Sequence, residues 1–122
     1  LTKTKASAKE ILESGKAYEK FKEIVKAQKG NQNIKSKNIN LGKYCHNYKS
    51  IKNGKIKEMN NKKITTIARI AGAPNNKGAG VYLHKKLNEN IKKGESLLTI
   101  YAENKEKLDY AKKELKQIFE IN

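Results

Sequence analysis

Few residues in this chain are equipped for nucleophilic, acid–base or metal chemistry: Cys45, His46 and His84. Cys45 is the only cysteine, so an internal disulfide and a cysteine-rich metal site are both excluded. Its neighbour His46 would be the natural base, but adjacent residues of a strand point to opposite faces and cannot share the hydrogen bond that a nucleophile and its base require. Two histidines with one cysteine also make a poor zinc set. No catalytic residue, metal ligand or cofactor is therefore assigned. One segment is richer. Ala73-Pro74-Asn75-Asn76-Lys77-Gly78-Ala79-Gly80 sets two glycines beside a lysine, a combination whose backbone amides can form a nest for an anion. Phosphate loops of the Rossmann and Walker kinds run from strand to helix, so that the helix N-terminus faces the phosphate. Here the order is helix, loop, strand, and a plain turn built from Gly and Asn is the competing reading.

The elements that hold these residues follow from periodicity. From Ser7 to Gln28 the apolar residues Ile11, Leu12, Ala17, Tyr18, Phe21, Ile24 and Val25 recur at helical spacing. Ser14-Gly15 divides them into two helices and Gly30 is expected to close the second. Asn31 to Asn40 is polar and without period. Asn53-Gly54, between Tyr44–Ile51 and Lys55–Met59, predicts a hairpin with Ile51 opposite Ile56, Tyr48 opposite Met59 and Lys49 opposite Glu58. Asn60 or Asn61 caps a helix carrying Ile64, Ile67, Ala68 and Ala71, ended by Gly72 and the only proline, Pro74. Strands follow at Val81–Lys85 and Leu97–Ala102, with Leu87 and Ile91 packing over the sheet edge between them. A last helix from about Asn104 turns Leu108, Ala111, Leu115, Ile118 and Phe119 to the core. Glu103 with Lys107, and Asp109 with Lys113, have acid-before-base spacing for ion pairs. The order is α-α, linker, then β-β-α-β-β-α, an α+β arrangement. It predicts a helical lead-in over residues 1–30, a linker over 31–42 and a domain over 43–122.

A chain of 122 residues supports one domain with a modest core. It opens on Leu1 rather than Met, which leads us to expect a segment of a larger protein. No apolar run approaches the roughly 20 residues that span a bilayer, and there is no signal-peptide pattern. A cytoplasmic protein without membrane contact is expected. The formal charge of +16 points to polyanions, but it is nearly all lysine, with Arg69 the only arginine. Reading of bases and bidentate capture of phosphate favour arginine. A solvated surface is the preferred account, with a basic, nonspecific nucleic-acid-binding module as the alternative and no specific nucleic acid expected. The rhythm of Val81 to Ile100 also suits half of a biotinyl or lipoyl carrier. Such a biotin carrier would show Met-Lys-Met at a hairpin tip, whereas the only methionine stands in Glu58-Met59-Asn60.

Two stretches carry a family resemblance. Leu12-Glu13-Ser14-Gly15-Lys16-Ala17-Tyr18-Glu19-Lys20-Phe21, continued by Val25 to Gly30, resembles the helical lead-in to the C-terminal region of pyrimidine nucleoside phosphorylases. Ile67-Ala68-Arg69-Ile70-Ala71-Gly72-Ala73-Pro74 and Lys77-Gly78-Ala79-Gly80-Val81-Tyr82-Leu83-His84-Lys85-Lys86 are similar to the AMP phosphorylase branch of the thymidine phosphorylase family, with Gly94-Glu95-Ser96-Leu97 and Ile100-Tyr101-Ala102-Glu103 continuing the match. The resemblance implies an α/β-hammerhead domain and phosphorolysis: phosphate attacks the anomeric carbon of the ribosyl unit and the base departs. With AMP this gives adenine and ribose 1,5-bisphosphate, and thymidine or another pyrimidine nucleoside is the alternative substrate. It further implies that phosphate and nucleotide or nucleoside meet upstream segments, that this region forms part of the cleft wall and of homo-oligomer contacts, and that the loop residues Asn75, Asn76, Lys77, Gly78 and Gly80 are the candidates to face the cleft. Relatives often carry an acidic residue just before Gly-Ala-Gly. Asn76-Lys77 stands there instead.

Overall fold

A computed structural model describes residues 2–122, with side chains from residue 7 onward. The chain forms two compact units, one ending at Ile39 and the other spanning Asn40–Asn122.

The first unit is a pair of helices, α1 (Thr2–Glu13) and α2 (Lys16–Ala27), followed by a single 3-10 turn at Ser36–Asn38. Gly15 separates them in the left-handed conformation, φ 80°, which a side chain would disfavour. The end of α2 differs from expectation. Lys29, not Gly30, takes the left-handed position at φ 58°, and the amides of Lys29 and Gly30 bond back to the carbonyls of Lys26 and Val25. Gly30 is small for another reason: a Cβ there would lie 2.9 Å from Val25 Cγ1 and 3.2 Å from Val25 O. No residue of α2 is buried, and Tyr18 stacks on Phe21 on its surface.

The second unit is α+β, with two three-stranded antiparallel sheets. Its elements are β1 (Tyr44–Lys49), β2 (Gly54–Met59), α3 (Asn61–Ala71), β3 (Gly80–Leu83), β4 (Asn90–Ile91), β5 (Ser96–Ala102), α4 (Lys105–Lys113) and β6 (Phe119–Ile121). The expected β-β-α-β-β-α order gains two short strands, β4 and β6. One sheet runs β1-β5-β3 and the other β4-β2-β6. Strand β5 is the hinge of the packing. Its Leu98, Ile100 and Ala102 meet Ile67 and Ala71 of α3, Leu108 and Ala111 of α4, and Leu115 and Ile118 beyond α4 in one core. Leu97, one residue out of phase, joins Ile56, Ile91 and Ile121 in a second core. A strand buried on both sides reads as a near-continuous apolar run, as Leu97-Leu98-Thr99-Ile100 does, with Thr99 the one polar member. Each such Ile or Leu contributes about 1.5–3 kcal/mol by leaving water.

The hairpin expected at Asn53-Gly54 does not form. Strand β1 pairs with β5, placing Tyr48 opposite Leu98, while β2 pairs with β4 and β6, placing Met59 opposite Phe119 and Glu58 opposite Glu120. Residues 50–53 instead cross from one sheet to the other, pinned by the Lys92–Glu95 turn. The Ser50 amide donates to Glu95 O at 2.9 Å, Gly94 N donates to Ser50 O at 2.7 Å, and Lys93 N donates to Asn53 Oδ1 at 2.8 Å. Ile51, expected to face Ile56, is 84% exposed at this crossing. Gly54 serves close approach, since a Cβ would come 2.7 Å from both Asn122 O and Ile121 Cγ2.

The remaining helices follow their caps. Asn60 Oδ1 accepts from Lys63 N to start α3, Gly72 ends it at φ 124°, and Asn104 Oδ1 accepts from the amides of Glu106 and Lys107 to start α4. Helix α4 stops at Lys113, earlier than expected, and Phe119 belongs to β6 rather than to the helix. Ile91 is buried as expected, whereas Leu87 is 51% exposed.

Candidate functional site

The loop between α3 and β3 is held from three directions. Within it, Asn76 N donates to Gly72 O at 2.8 Å and Ala79 N to Asn76 O at 3.0 Å. Ahead of β1, Gly42 N donates to Gly78 O at 2.8 Å. From the junction of β5 and α4, Glu103 accepts twice: Gly78 N donates to Oε1 at 2.8 Å and Asn76 Nδ2 to Oε2 at 3.1 Å. Of the backbone amides that could have formed an anion nest, Gly78 N is taken by a carboxylate of the chain itself, while Asn76 N and Ala79 N bond within the loop. A Cβ on Gly78 would lie 2.8 Å from Gly42 N and 3.2 Å from Gly42 Cα, and one on Gly42 would lie 2.5 Å from the carbonyl of Ala102. Three backbones meet here, with no room for side chains.

Asn76 and Gly78 are half-buried in this network, while Asn75 and Lys77 are exposed. Gly80 begins β3 opposite Tyr101, with nothing within 4 Å of where its Cβ would stand. Glu103, Lys107 and Gly42 are the partners that sequence reasoning did not bring to the loop. Asn76 and Glu103 lie 27 positions apart, and no short-range pattern links them. The expected ion pairs are replaced. Lys107 Nζ donates to Asn76 Oδ1 at 2.8 Å, Asp109 lies 3.5 Å from Lys112, and the Lys113 ammonium sits over the Tyr110 ring at 4.9 Å.

The reactive side chains do not assemble. His46 faces the helices opposite Ile100, and Cys45 is exposed on the other face opposite Tyr101. Burial, reinforced by the Lys112 ammonium, holds the His46 imidazole below its ordinary value of 6.5. His84 Nε2 lies 2.7 Å from Thr99 Oγ1, on the face away from His46. Among the described residues no three His, Cys, Asp or Glu side chains are placed to hold a metal ion, and no helix is long and apolar enough to cross a membrane. A shallow surface depression of about 440 Å³ lies along α4 between Lys105 and Lys113 and includes none of the loop residues.

The second unit is therefore a two-core scaffold presenting one tethered polar loop, and among the described residues no cluster of reactive side chains is assembled. Residues 55–122 match the family model described as the pyrimidine nucleoside phosphorylase C-terminal domain. The chain belongs to this family. Among its curated relatives, the AMP phosphorylase of Methanosarcina acetivorans is 52% identical over 107 residues, 88% of this chain and 21% of the relative. The AMP phosphorylase of Thermococcus kodakarensis is 49% identical over 107 residues, with the same shares, and AMP phosphorylase 1 of Archaeoglobus fulgidus is 51% identical over 104 residues, 85% of this chain. The chain spans about a fifth of the length of these relatives.

Proposed function

We propose that this chain is the C-terminal part of an AMP phosphorylase, with residues 1–30 as the helical lead-in from the preceding domain, 31–42 as the linker and 43–122 as the C-terminal domain. The observation that supports this most is the roughly half identity to AMP phosphorylases across nearly the whole chain, the loop segment included. In the reaction, an oxygen of inorganic phosphate forms a bond to C1′ of AMP as the bond from C1′ to the adenine nitrogen breaks. The bonding pair leaves with adenine, which takes up a proton, and ribose 1,5-bisphosphate remains. Positioned donors for phosphate and for the departing base lower this barrier. The described residues offer no such constellation, so those groups belong to other parts of the enzyme.

The contribution of this domain is structural: it forms part of the cleft wall, and its loop of Asn75, Asn76, Lys77, Gly78 and Gly80 faces the substrate. A polar, tethered loop at a domain edge is where closure around substrate would be felt. The enzyme works in the cytoplasm as a homo-oligomer and takes no specific nucleic acid. The test is phosphorolysis by the complete enzyme of AMP, thymidine and uridine in parallel. AMP is expected to be turned over with the highest kcat/KM, and preference for a pyrimidine nucleoside would overturn the assignment. The 122-residue chain alone is expected to show no turnover above a heat-killed control.

A further inference from the structure

Where Glu103 and Lys107 go, once they fail to pair with each other, says how the loop is held. Lys107 Nζ donates to Asn76 Oδ1 at 2.8 Å, Asn76 Nδ2 donates to Glu103 Oε2 at 3.1 Å, and Gly78 N donates to Glu103 Oε1 at 2.8 Å. An ammonium can only donate and a carboxylate can only accept, so the Asn76 amide has one possible orientation between them. An amide is also the one side chain of this size that can serve both neighbours at once.

The residues pinned in this way are 76 and 78. Lys77 stands between them and is exposed, and among the described residues no carboxylate pairs with it. Both oxygens of Glu103, the acid nearest in the network, are already engaged by donors on either side of Lys77. We propose that Glu103 is a positioning residue for Lys77. By fixing both neighbours, it keeps the Lys77 ammonium out of internal ion pairs and presents it to a phosphate group of the substrate pair. This rests on the reading that the loop faces the substrate cleft. The phosphate group is either that of AMP or inorganic phosphate, and the two have separate KM values.

The experiment uses the complete phosphorylase with Glu103→Ala, Glu103→Gln, Lys77→Ala and the double variant Glu103→Ala/Lys77→Ala. Hydrogen exchange of the peptide covering residues 74–80 reads the tether, while KM for AMP, KM for inorganic phosphate and kcat read the consequence. Glu103→Ala should speed exchange of that peptide about tenfold, as expected for losing hydrogen bonds to a charged acceptor. Glu103→Gln should fall between, because its amide oxygen still accepts from Gly78 while its amide nitrogen meets Asn76 donor to donor. One of the two KM values should rise about tenfold with a smaller change in kcat, identifying which phosphate Lys77 meets. In the Lys77→Ala background the same Glu103 change should add nothing further to KM. Unchanged exchange in Glu103→Ala overturns the tether, and equal, additive losses in both backgrounds overturn the route through Lys77. Faster exchange with unaltered kinetics in every variant, Lys77→Ala included, instead shows that the loop lies outside the cleft, which sinks the reading beneath the proposal and the proposal with it.

Discussion

Two glycines of one loop should respond oppositely to the same added methyl group. At Gly78 a Cβ falls 2.8 Å from Gly42 N, 3.1 Å from Glu103 Oε1 and 3.2 Å from Gly42 Cα. Two of those three neighbours are backbone atoms, and Gly42 cannot retreat because it already abuts Ala102. Forcing an extra carbon into such a contact costs about 1–3 kcal/mol. At Gly80 nothing lies within 4 Å, and its φ is one that other residues adopt freely. Alanine there removes freedom from the unfolded chain and should stabilise by about 0.4–1 kcal/mol. Gly78→Ala and Gly80→Ala should thus differ by about 1.4–4 kcal/mol, and each kcal/mol moves Tm by about 4–8 °C in a unit of this size. Urea denaturation of the 122-residue chain, followed by circular dichroism, gives both values. If the variants agree within about 0.5 kcal/mol, close to the usual scatter of additive effects, the three-backbone contact does not exist as described.

Asn76→Asp removes the donor to Glu103 and sets two carboxylates side by side, so hydrogen exchange over residues 74–80 should accelerate about fivefold, a loss of roughly one net hydrogen bond; slower exchange would refute the orientation given to that amide. His46 binds its proton less tightly when folded than when unfolded, because burial, and then Lys112, hold its folded value below 6.5. Stability should therefore be intact above about pH 6.5 and fall as pH drops through the folded value. His46→Gln should flatten that part of the profile, and an unaltered slope would show that another group titrates there. Binding of duplex DNA by the isolated chain should weaken steeply with salt and show no preference among sequences, as a lysine surface without readout predicts; a clear preference at physiological salt would contradict it.

Where the information was local, the residues foretold the structure. Asn60 and Asn104 are caps whose partners lie two or three residues on, and α3 follows Ile64, Ile67 and Ala71 as an amphipathic stripe should. Where pairing was distant, local signals misled. Asn53-Gly54 carries strong turn chemistry and a register of compatible neighbours, yet Asn53 serves as an acceptor for Lys93 and Gly54 as a gap for the C-terminal strand. Residues near 90 and 120 decide that outcome, and no window around 54 contains them. The candidate loop was visible as a polar, glycine-bearing segment for the same local reason. Its tether was not, since Glu103, Lys107 and Gly42 reach it from elements 25 or more positions away in the chain.

The placement of β6 bears on how a ribosome must deliver this domain. Phe119 pairs with Met59, sixty positions earlier, and Phe119 and Tyr48, stacked at 6.5 Å, border both cores. The second core also counts Ile121 among its four buried members. Until that strand has left the exit tunnel, Ile56, Ile91 and Leu97 have no complete partner set, and the β1-β5-β3 sheet must wait half-sealed. Contacts this far apart in sequence form slowly, because the loop between them must close before any of them is rewarded. The second core therefore closes only once Phe119 to Ile121 are in place, and a nascent chain stalled short of Phe119 would expose apolar surface that the completed fold hides.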